Sequence, residues 1–103
     1  MADVRVDWQY PSVRASGRPL NTSDIRHTII EMSADLGANF GVIATVAAPG
    51  TTYTQTELEP GEWRFRGYVV DTGGRQGPPV YGSIVIADTT PPGPLQVFTV
   101  TLI

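Results

Sequence analysis

The sequence predicts an all-β protein, an antiparallel sandwich of two sheets, and three observations carry that expectation. Apolar and polar residues alternate with a period of two in several short runs. Turn-forming residues are abundant, with 11 Gly and 9 Pro among 103 residues, and many fall between those runs. No segment combines 3.6-residue apolar periodicity with helix-capping residues.

The runs follow one another along the chain. Val4, Val6, Trp8 and Tyr10 alternate with Asp3, Arg5, Asp7 and Gln9, which puts four apolar side chains on one face of a first strand. Pro11 ends it, and residues 12–23 carry polar turn-formers without periodicity, a long loop. A second strand is expected over residues 25–33, with Ile30 and Met32 on one face and Ile29 and Glu31 on the other. Phe40, Val42, Ala44 and Val46 share a phase in a third, closed by Ala47-Ala48-Pro49-Gly50. Residues 51–58 are β-prone through their threonines and Tyr53, and Pro60-Gly61 turns the chain back. In the longest run Trp63, Phe65, Gly67 and Val69 face one way, and Arg64, Arg66, Tyr68 and Val70 the other, so the two Arg are expected at the surface. A sixth strand spans residues 80–87, after a loop rich in Gly and Pro. The expected core is Trp8, Phe40, Leu58, Trp63 and Phe65.

The global balance excludes several function classes. A net charge of −3 gives no attraction to a phosphate backbone, so nucleic acid is not an expected partner. All seven basic residues are Arg, which coding bias explains without function. Zero cysteine removes disulfides and thiolate metal ligands. Residues 1–5 show no basic and apolar leader, and no apolar stretch approaches the ~20 residues of a membrane span. The expectation is a soluble chain with no membrane partner.

Chemistry-bearing residues are sparse. His27 is the one histidine and sits on an expected strand, a surface position more than a ligand. Nothing resembles the strained turn of a nucleophilic serine, and no catalytic residue, cofactor or metal is expected. Glu57, Glu59 and Glu62 straddle the Pro60-Gly61 turn, where solvation keeps them from general-acid work. Gly73-Gly74-Arg75-Gln76-Gly77 lacks the Lys-Ser/Thr of a phosphate loop and reads as a turn. Asn21-Thr22-Ser23 is a formal glycosylation acceptor without a secretory signal. Tyr68 and Tyr81 are candidates to face outward and stack on a sugar or a partner protein.

Taken in order, Trp8, Gly17-Arg18-Pro19-Leu20, Leu58-Glu59-Pro60-Gly61, Trp63-Arg64-Phe65-Arg66 and Val70-Asp71-Thr72-Gly73 resemble the fibronectin type III family over residues 4–87. The resemblance implies a sandwich in which an early Trp packs the sheets together. It also implies a corner after Leu58 where the family usually has Tyr in place of Trp63. The corner hydrogen bond would then come from the indole N–H or be absent. Thr28 stands where a large aromatic often sits, leaving volume for Phe40 or a neighbour to fill. A family member also begins with an edge strand before the Trp-bearing one, and here only Met1 to Asp3 precede it.

The far end shows the opposite imbalance. Residues 89–94 form a Pro-rich linker, and residues 95–103 an uncharged β-prone tail with Leu95, Val97, Phe98, Val100 and Leu102 as candidate subunit-contact residues. The expected organisation is a sandwich over residues 1–88, the linker, and a strand that completes either its own domain or a neighbouring subunit. Small immunoglobulin-like proteins of tailed-bacteriophage particles resemble this arrangement. The implied function is a non-enzymatic virion structural protein, a capsid decoration or tail-associated component. Its implied partners are other virion proteins and copies of itself. The alternative is a spacer module of a larger secreted bacterial protein that binds carbohydrate or a cell surface, with surface glycan as partner and an extracellular location.

Overall fold

The computed structural model describes every residue from Met1 to Ile103. Six strands follow in order: β1 Ala2–Asp7, β2 Ile25–Ser33, β3 Gly41–Ala47, β4 Thr52–Leu58, β5 Gly61–Asp71 and β6 Val80–Ile86. A 3₁₀ turn at Thr22–Asp24 leads into β2, where the Asn21 backbone N–H donates to the Asp24 carboxylate at 3.1 Å. The strands form two antiparallel sheets, a two-stranded β1-β4 ribbon and a four-stranded sheet in the order β3-β2-β5-β6. The architecture is a β-sandwich.

Alternation explains which side chains enter it. Val4 from β1, Ile30 from β2, Leu58 from β4 and Phe65 from β5 form the buried cluster, with Trp8, Met32, Ile43 and Trp63 packed around it. Ten of the 103 residues are buried and only six of these are apolar, so the core is thin. The two-stranded ribbon is too narrow to cover a sheet of four strands.

Two placements differ from the sequence pattern. Phe40 does not join the core. It precedes β3, and a register shift between Ile30 and Glu31 changes the phase of the β2–β3 pairing, so Ile43 and Ala44 pack inward while Val42 is exposed. The ring of Phe40 lies instead under Arg66, whose guanidinium carbon is 4.2 Å from its centroid. Thr28 is nevertheless buried, at 3% exposure, by other neighbours.

The second difference concerns the end of the chain. Residues 87–103 form no strand and run away from the body, giving a molecule of 84 × 22 × 18 Å. The longest strand, β5, accounts for only about 36 Å of that length at ~3.3 Å per residue. Most of the remainder is tail.

Candidate functional site

The dominant concave feature is a groove of about 920 Å³ between the ribbon and the inner face of β5 and β6. Val4, Val6 and Trp8 form one wall, and Thr28, Gly67 and Gly82 part of the other. Gly82 contributes to the opening, whereas the space over Gly67 is taken by Ile30, whose Cδ1 would lie 3.3 Å from an added Cβ. Gly82 has no atom within 4 Å of where a Cβ would sit. Nothing in the chain pairs with the outer edge of β1, and the inner face of β6 is covered only toward its end, where Ile86 packs against the buried cluster, while Ile84 is 40% and Val80 72% exposed.

Only two buried side-chain polar atoms lack a hydrogen-bond partner, Trp8 Nε1 and Thr28 Oγ1, and both residues line this groove. Such orphans are costly in a finished core.

The far rim of the groove is well organised. The Asp71 carboxylate accepts from the backbone N–H of Gly73 at 2.9 Å and of Arg75 at 2.8 Å, from Arg75 Nε at 2.9 Å and from Arg14 Nη1 at 3.0 Å. The Arg75 backbone donor, seconded by Arg14, holds this carboxyl well below the usual carboxylate range. One buried group thus ties the loop after β1 to the loop after β5. A comparable turn follows β2, where Ser33 Oγ and Asn39 donate to Asp35 and lower its pKa to about 2.

The outer face of the four-stranded sheet carries the second candidate. Glu31, 7% exposed, accepts from Arg66 Nε at 2.7 Å and from the Tyr68 hydroxyl at 3.0 Å. Burial, with Glu31 alongside, pushes the Tyr68 phenol up. Arg66 also covers Phe40, whose ring meets Tyr81 edge-on at 6.1 Å. Tyr81 is 66% exposed, whereas Tyr68 is committed to Glu31 and half-buried.

The remaining sequence-derived candidates separate cleanly. Leu58 and Phe65 lie in the buried cluster and Trp8 and Trp63 against it. The Trp63 indole N–H donates to the Glu59 carbonyl at 2.8 Å, so the corner bond left open by the sequence is made by Trp. Leu95, Val97, Phe98, Val100 and Leu102 are all at least 80% exposed on the tail. His27 is half-buried in β2, and no three His, Asp or Glu side chains converge as metal ligands would.

Groove, edge and tail define a β-sandwich with an unpaired strand edge on β1 and an exposed apolar segment over residues 95–103. The chain matches no model of a known protein family, and no curated protein is significantly similar to it.

Proposed function

We propose that this chain is a fibronectin type III-like structural protein of a bacteriophage virion, a capsid decoration or tail-associated component that works through subunit contacts and not through catalysis. One observation carries the reading. The chain holds an open strand position over an apolar groove, together with an uncharged apolar tail that its own domain leaves exposed. Exposed apolar strands promote association, and an assembled particle is a setting in which such a segment is covered. The family assignment is supported by Trp8 between the sheets and by the corner in which Trp63 bonds back to Glu59.

The test is immunogold labelling and mass spectrometry of phage particles purified from cells that carry the gene. Regular labelling of capsid or tail is expected; absence of the chain from particles overturns the reading. The second reading, a glycan-binding spacer, is favoured by the exposed Tyr81 beside Phe40 and Arg66. It predicts glycan binding that is lost in Tyr81→Ala.

A further inference from the structure

We infer that the tail of one copy occupies the open edge of β1 in a second copy, antiparallel to β1, and that repetition builds an open head-to-tail chain. This rests on the subunit-contact reading and specifies its occupant, its direction and its symmetry.

Direction follows from strand pairing. Ala2 at the start of β1 is opposite Leu58, and Ile86 at the end of β6 is opposite Gly61, only three residues further along. The tail therefore leaves the body at the pole where β1 begins. Trp8, whose backbone N–H donates to the Thr51 carbonyl at 3.0 Å, marks the other pole. A strand antiparallel to β1 must start at the Trp8 pole.

For a chain to supply that strand to itself, residues 87–94 would have to reverse, run the length of β1, about 20 Å at ~3.3 Å per residue, and reverse again. Pro91, Pro92 and Pro94 each fix φ and favour continued extension in this segment. Self-return with a single reversal gives a parallel strand instead. A second copy stacked in the same orientation requires no reversal: the tail continues in the direction of β6 and meets the neighbour's Trp8 pole. The relation between copies is then largely a translation, which does not close on itself.

The tail has the pattern such a position requires. Phe98, Val100 and Leu102 alternate with Thr99 and Thr101, so the apolar three face the groove beside Val4 and Val6 while the threonines join Asp3, Arg5 and Asp7 outside. Leu95 and Val97 are out of this phase, and Val97 has φ 54°, so the inserted strand begins at Phe98. Phe98 is the large side chain available for the open space over Gly82.

The chain has no cysteine, so introduced thiols report without interference. In the double variant Asp3→Cys/Thr101→Cys, oxidation is expected to give a ladder of disulfide-linked multimers on a non-reducing gel. Asp7→Cys/Thr101→Cys should remain unlinked, because positions four residues out of register exceed disulfide reach. Internally linked monomers in either variant overturn the inference in favour of self-return, and multimers linked only in the second overturn the register and direction inferred here. Absence of any linkage overturns it as well, provided circular dichroism shows that the reduced variants keep the parent fold. Sedimentation of the unaltered chain is the independent measurement: species that grow with concentration support donation, and a monomer at every concentration sinks it. A chain that labels particles but forms no ladder would retain the virion reading and lose this one.

Discussion

The two faces of the four-stranded sheet are finished to different degrees. On the outer face a buried carboxylate, Glu31, is matched by Arg66 and Tyr68, and the guanidinium is itself laid over Phe40. On the inner face the half beneath the ribbon is packed through Ile30 and Phe65, while the half beside β6 opens into the groove with two orphaned polar atoms at its walls. A protein that satisfies a demanding ionic cluster yet leaves apolar surface uncovered has its stability in one region and its capacity for contact in the other.

That contrast can be broken by substitution. Phe65→Ala should cost about 3–5 kcal/mol, as for large buried aromatics generally, and with so few buried residues is expected to leave the chain largely unfolded. Urea titration followed by tryptophan fluorescence reads it. A cost below ~1 kcal/mol would mean that the covered half of the inner face is no better packed than the open half.

Acid provides the next largest effect. The carboxyls of Asp35 and Asp71 are depressed in the folded protein, so their contribution is complete above the ordinary carboxylate pKa of about 4. It declines as pH falls toward 2, where the folded state must accept protons that the unfolded chain already binds more readily. Thermal unfolding should thus be nearly flat from pH 7 to 5 and fall below pH 4, with a shallower slope in Asp71→Asn. An unchanged slope would show that the groove rim does not depend on this carboxylate.

Smaller effects sharpen the picture. Trp63→Phe removes the donor to Glu59 and should cost about 1 kcal/mol by the usual worth of one hydrogen bond. Trp63→Tyr, with a hydroxyl donor of its own, should lose less, and equal losses would assign the effect to packing alone. Ile84→Ala, beside the groove, should cost about 1 kcal/mol in dilute solution, less than a fully buried Ile, because the side chain is already 40% exposed. The same change should weaken association at high concentration, and a large loss in dilute solution would mean that the groove is closed there.

The sheet-forming residues were the legible part of this chain. The alternation in β5 correctly separates Phe65 from Arg66, and Val4 with Trp8 marks the inward face of β1 without any knowledge of partners. Phe40 falls on the face opposite to Ala44 because a period of two gives the face only while the register is continuous, and Ile43 is an extra residue in β3 itself, between Val42 and Ala44. The Glu31–Arg66 pair spans 35 residues and no local pattern announces it. The groove was illegible for a related reason. Gly82 is unremarkable by itself, and its lack of a side chain matters only once pairing sets it opposite Phe65 on the inner face. The tail stands out in the sequence as an apolar run without charge, and its side chains are exposed in the structure.

Asp71 has a consequence for how the molecule opens. Because Arg14 and Arg75 bind the same carboxylate, two loops far apart in the chain share one fastening and cannot loosen independently. In hydrogen exchange the amides of Gly73 and Arg75 should therefore lose protection together with that of Arg14, whose N–H is held by the Arg18 carbonyl across the other loop. The pole that an arriving strand reaches first would then behave as a single cooperative unit, shut or released by the state of one oxygen pair.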